Sequence, residues 1–124
     1  MCLYINLYKH PGYQSITNRK DIPCYKVITK NSKGQWTSLF FKRKKWELNK
    51  LYTNTGKIDR GATTIGGGYY HSFANINDAK RQAREFGGTV VKCIIPKESQ
   101  YFSGYNYNCN GYASRKLKIV KICV

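Results

Sequence analysis

The sequence predicts an α+β fold, in which a mostly antiparallel sheet of about six strands packs against one helix. Two observations carry this prediction. In most segments, apolar residues alternate with other residues or form short β-branched runs, as in strands. Only residues 75–87 show an apolar stripe at helical spacing. The length of 124 residues fits a single domain, which we take as residues 1–124.

The first half of the chain contains a predicted β-hairpin. Residues 2–8 alternate and predict a first strand. Residues 24–30 and 35–41 are rich in β-branched and aromatic side chains, and the turn-forming sequence NSKG separates them. The segments that follow are less clear: residues 46–53 fit a strand or a short helical turn, and residues 54–68 predict a loop.

The predicted helix follows a short strand at residues 69–73. Its apolar stripe consists of Ile76, Ala79, Ala83 and Phe86. Asn75 or Asn77 can cap its N-terminus. Gly87 stands where a left-handed residue commonly ends a helix. Residues 75–87 therefore form the one helix of the prediction.

Three segments complete the chain. Residues 89–95 (TVVKCII) predict the most buried strand, since they are apolar and β-branched. Residues 101–112 are mainly Tyr, Asn and Gly and predict a loop. Residues 116–124 predict a last strand, in which the alternation slips at Ile119 and Val120. A slip of this kind indicates a β-bulge or a strand with two partly covered faces.

The charge of the chain is its strongest functional signal. Lys and Arg total 22 against six acids, a formal net charge of +16. Such an excess opposes compaction through self-repulsion, which an anionic partner relieves. Nucleic acid is the leading candidate, and an acidic protein or a nucleoprotein is the alternative.

Two sets of residues are candidates for binding. The set predicted to contact nucleic acid is Lys42, Arg43, Lys44, Lys45, Trp46, Lys80, Arg81, Arg84, Lys116 and Lys118, with Lys121 beside them on the last strand. The set predicted to form a stacking or partner-binding surface is Tyr101, Tyr105, Tyr107 and Tyr112. For Trp46 the residue type favours a place in the core over stacking on bases. For the cations the alternative is a solvated strand end.

Signals for chemistry are weak. The six acids are scattered, so a pair of carboxylates for acid–base catalysis is not expected. His71 is the residue on which a small nucleotide-handling enzyme would depend. The five cysteines and two histidines lack zinc-site spacing, and we predict no metal, no cofactor and no catalytic residue.

The termini and hydropathy predict a cytoplasmic protein. The N-terminus MCLYINLYKH has neither the cationic segment nor the long apolar run of a signal peptide. No apolar stretch approaches the ~20 residues that span a bilayer. We therefore expect reduced thiols and no membrane partner.

Several short sequences in the chain are familiar together: MCLYI, CYKV, HSF, KCIIPK and YASRKLKIVK. With these landmarks the chain resembles a group of small uncharacterised bacteriophage accessory proteins. The resemblance implies a viral protein in a bacterial cytoplasm, with inhibition of host defence as one expected role. A virion or assembly component is the alternative hypothesis for the function.

Overall fold

Twelve strands and one α-helix make up most of the chain that the computed structural model describes, residues 3–38, 45–57, 60–106 and 109–123. In chain order the elements are β1 (Leu3–Ile5), β2 (Ile16–Thr17), β3 (Ile22–Lys30), β4 (Trp36–Ser38), β5 (Lys45–Trp46), β6 (Leu51–Thr53), β7 (Thr64–Ile65), β8 (Tyr70–Phe73), α1 (Ile76–Phe86), β9 (Thr89–Ile95), β10 (Gln100–Asn106), β11 (Cys109–Ser114) and β12 (Lys116–Ile122).

The strands form one antiparallel sheet. Its main path is β6-β12-β9-β3-β8-β11-β10-β1-β7, and β2, β4 and β5 pair off this path with β10, β3 and β4 respectively. The predicted α+β class, a mostly antiparallel sheet with a single described helix, is confirmed. The prediction of about six strands was wrong, because the sheet contains several two- and three-residue strands that no periodicity reveals.

Helix α1 begins and ends close to the predicted positions. Asn75 caps it, and its side-chain oxygen accepts a 2.8 Å hydrogen bond from the backbone N–H of Asn77. Gly87 follows the last turn with φ of 78°, a left-handed conformation that glycine adopts without strain. No helix in the described ranges is long and apolar enough to cross a membrane.

The helix packs on one side of the sheet, which we call the helix face. Ala79 is fully buried there against Val27 of β3 and Val90 of β9. Tyr25 and Phe73, which are cross-strand partners, pack around the same cluster. Residues whose side chains share this side of β3 and β9 therefore lie beside the helix.

The largest apolar cluster lies on the opposite face. Val91, Cys93 and Ile95 of β9 are fully buried there, with Leu117 and Ile119 of β12. The sheet curls around this cluster, because Trp46 of β5 contacts Tyr52 of β6 although these strands lie far apart along the sheet. The two ring centroids are 4.8 Å apart. The predicted buried strand at residues 89–95 thus matches β9.

The prediction of a loop at residues 101–112 was wrong. This segment contributes to the hairpin of β10 and β11, in which Phe102 and Ala113 are cross-strand partners and both are buried. Tyrosine favours strands, so the composition that indicated a loop also suits a half-buried hairpin. The predicted bulge in the last strand is confirmed, since the register of β12 against β9 shifts between Ile119 and Lys121.

Glycine is required at position 104 by close approach of the neighbouring strand. A Cβ atom at Gly104 would lie 2.0 Å from the carbonyl oxygen of Tyr4 on β1. This contact is with backbone, so no side-chain rotation can relieve it.

We predict that Gly104→Ala will lower the free energy of unfolding by roughly 3 kcal/mol, because β1 must move away from β10. The control variant is Gly34→Ala. The new methyl group has open space around it there, and only the positive φ of 76° opposes the substitution. Its expected cost is about 1–2 kcal/mol. Urea titration of both variants measures the difference; equal losses would contradict the packing argument.

Candidate nucleic-acid interface

Two lysines stand directly opposite each other on the helix face. Val91 and Cys93 point into the core on the other face, so alternation places Lys92 between them on the helix side. Its cross-strand partner on β12 is Lys121. Like charges in such a pair repel each other, and strands β9 and β12 contain no acidic residue to separate them.

Two further lysines follow along β12 on the same face. Lys116 and Lys118 alternate with the buried Leu117 and Ile119. The β-bulge adds one residue after Ile119, and this insertion brings Lys121 back to the face that Lys118 occupies. The bulge thus places three lysines of one strand on one side.

The flank of helix α1 nearest to β12 is also basic. Arg81 points toward the flank of α1 that faces β11. Its guanidinium donates hydrogen bonds to Asp78 (2.7 Å) and to the sulfur of Cys109 on β11 (3.2 Å). At 100° per residue, Lys80 and Arg84 lie on the flank that faces β9 and β12. Both side chains are exposed.

These six cations form what we call the lysine face: Lys80, Arg84, Lys92, Lys116, Lys118 and Lys121. The two salt bridges found among the described residues are Lys50–Glu47 and Arg81–Asp78, and neither includes a member of the face. Among the described residues, no acid therefore forms a salt bridge with these cations. A surface of this kind is stabilised when an anion binds to it.

The basic segment at residues 42–45 is only partly described. Lys42, Arg43 and Lys44 lie outside the described residues. Lys45 is exposed. It pairs with Thr37 of β4, which pairs with Thr29 of β3, so Lys45 lies on the helix face. There, Lys45 and strand β12 lie on opposite sides of α1. It is therefore separate from the lysine face.

Trp46 occupies the core instead of a stacking surface. It is 3% exposed and its indole N–H donates a 2.8 Å hydrogen bond to the hydroxyl of Ser38. The ammonium group of Lys26 lies 5.6 Å from its ring centroid and donates to the carbonyl of His71 at 2.8 Å. Burial lowers the pKa of Lys26. Trp46 belongs to the core because the curled sheet closes around it.

Three of the four predicted tyrosines share the face opposite the helix. Tyr101 and Tyr105 alternate with the buried Phe102, and Tyr112 is the cross-strand partner of Ser103 between them. Tyr107 lies outside the described residues. Tyr4, which the sequence did not single out, joins them as the partner of Tyr105 on β1.

The sequence also missed Lys92. Lys92 is the one charged residue inside the apolar run TVVKCII. A single lysine in such a run indicates the side of the strand that the core does not cover completely. Tyr4 had a signal of the same kind, because it stands between the apolar residues Leu3 and Ile5.

His71 makes structural contacts in the described chain. Its Nε2 donates a 2.8 Å hydrogen bond to the carbonyl of Gly66. Burial lowers its pKa from 6.5 to about 4, and the nearby Lys26 contributes to the decrease. The ring is therefore neutral near pH 7. No group of three His, Cys, Asp or Glu residues able to hold a metal ion occurs in the described ranges.

Comparison with known proteins gives no relative for this chain. No protein-family model, no curated protein and no solved structure matches it. The function must therefore be inferred from the surfaces themselves.

The histidine pKa predicts a pH dependence of stability. The unfolded chain takes up a proton at His71 below pH 6.5, whereas the folded chain resists this until about pH 4. The free energy of unfolding should therefore decrease as the pH falls through this window, by up to about 3 kcal/mol from His71. Above pH 6.5 the effect is absent.

His71→Gln keeps an amide N–H for Gly66 and gains no charge, so its stability should fall less between pH 6.5 and 4. Part of the slope will persist through His10, whose pKa burial also lowers. Denaturant titrations across this pH range test the prediction, and identical slopes for the two proteins would refute it.

Proposed function

We propose that this chain binds nucleic acid without catalysis, and that its lysine face contacts the phosphate backbone. The single observation that carries the proposal is the direct pairing of Lys92 with Lys121 on two strands without acids. Folding brings these charges together against their repulsion. A polyanion supplies a compensating charge that strands β9 and β12 lack.

The arrangement of the cations favours a partner with regularly spaced charges. Lys116 and Lys118 project from alternate positions of a strand, about 7 Å apart along its axis. Lys80 and Arg84 border this row from the helix side. A nucleic-acid backbone presents a repeating line of phosphates, whereas carboxylates on an acidic protein follow no common spacing.

Inhibition of host defence during bacteriophage infection extends this proposal. It follows from the resemblance of short sequence landmarks, and the binding activity does not depend on it. An acidic host protein would be an alternative partner for the same cations. Pull-down from expressing cells with and without nuclease separates the two, since only a nucleic-acid-dependent capture is lost after digestion.

The salt dependence of binding tests the lysine face. We expect Lys118→Gln/Lys121→Gln to weaken binding to duplex DNA and to reduce the slope of log K against log salt by about 2, since each phosphate contact contributes about 0.9. Fluorescence anisotropy at several salt concentrations measures both quantities.

The matched control is Lys9→Gln/Lys33→Gln, which removes the same charge from two exposed turns. It should change the slope by less than half as much. The proposal fails if the two double variants behave alike, because binding would then depend on net charge and on no particular face.

A further inference from the structure

The face opposite the helix contains an exposed pair of stacked tyrosines. The ring centroids of Tyr4 and Tyr105 lie 5.8 Å apart, and the ring planes differ by 17°. The side chains are cross-strand partners on β1 and β10, so the sheet fixes their spacing. The residues are 49% and 51% exposed, which leaves ring surface in contact with solvent.

Two more tyrosines extend this surface across the sheet. Tyr101 and Tyr112 contact each other edge to face at a centroid distance of 6.1 Å. Both are partly buried. We call Tyr4, Tyr101, Tyr105 and Tyr112 the tyrosine face.

The polar groups around these rings are neutral. Strands β1, β10 and β11 contain no charged residue. The cross-strand neighbours on this face include Ser103 and Ser72, beside Tyr112, Asn110, beside Tyr105, and Thr64, beside Tyr4. Such side chains donate and accept hydrogen bonds, and the rings provide flat apolar area. This surface cannot bind phosphates through cations of its own strands.

The net charge of the chain indicates which ligand presents flat, neutral rings to this surface. With a net charge of +16 the protein attracts polyanions, and strands β1, β10 and β11 have no acid that would repel one. The polyanion that also presents flat, neutral, hydrogen-bonding rings is a nucleic acid with unpaired bases. In a duplex these rings are stacked inside and inaccessible to a sheet surface.

We propose that the tyrosine face is a stacking platform for the unpaired bases of single-stranded nucleic acid, centred on Tyr4 and Tyr105. It depends on the proposed function only for the attraction of a polyanion, since it lies on the other side of the sheet from the lysine face. Rigid tyrosines in a sheet suit this role because base stacking on aromatic rings tolerates any base.

The test compares three probes with labelled ends: a single strand of about 12 nucleotides, the same length without bases, and a duplex. The abasic strand carries the same charges but no rings. Tyr4→Ala/Tyr105→Ala should weaken binding of the intact single strand by about 10-fold or more. Its affinities for the abasic strand and the duplex should change less than twofold.

Matched variants separate stacking from general apolar contact. Tyr4→Phe/Tyr105→Phe should retain single-strand affinity, whereas Tyr4→Leu/Tyr105→Leu should lose it. Tyr8→Ala is the control, because Tyr8 is fully exposed in the turn after β1 and outside the platform. Circular dichroism and thermal unfolding confirm that each variant folds.

Unchanged affinity of the alanine variant for the intact single strand would overturn the inference. So would an equal loss on all three probes, and the tyrosine face would then be open to a protein partner. The proposed function fails by a different result, which is equal salt slopes for the lysine double variant and its control. The failure of one proposal can therefore be distinguished from the failure of the other.

Discussion

Strand β9 hydrogen-bonds to β3 on one side and to β12 on the other, and its alternation determines where the groups on both faces lie. Val91, Cys93 and Ile95 fill the core that the curled sheet surrounds. The alternate residues therefore point to the helix face, where Val90 packs under α1 and Lys92 remains beside it. Burial of Val91 and Ile95, at about 1.5–3 kcal/mol each, already outweighs the repulsion between Lys92 and its neighbour Lys121.

The two faces of the sheet consequently differ in chemistry. One side combines the helix with a row of lysines, and the other combines a closed apolar core with an open band of tyrosines. Phosphates suit the first surface and unpaired bases suit the second.

Strong periodicity allowed the sequence to predict helix α1, the strands at residues 24–30 and 89–95, and the bulge near Ile119. Strands of two or three residues could not be predicted, because alternation needs a longer segment to be recognised. The hairpin of β10 and β11 was hidden by its Tyr, Asn and Gly content. Among the candidate residues, the lysines of β12 share a face with the helix, whereas Trp46 is buried. Burial of Trp46 depends on closure of the sheet between β5 and β6. These strands are neighbours in the sequence but lie far apart along the sheet, and the strand order that separates them is not visible in the local sequence pattern.

Lysine acetylation footprinting with and without a single-stranded oligonucleotide tests the central claim most directly. The extent of modification at each lysine, measured by mass spectrometry after proteolysis, reports which amines the ligand covers. We predict strong protection of Lys92, Lys118 and Lys121 and little change at Lys33 in the turn after β3. Equal protection at all these lysines, or none at the first three, would contradict the account.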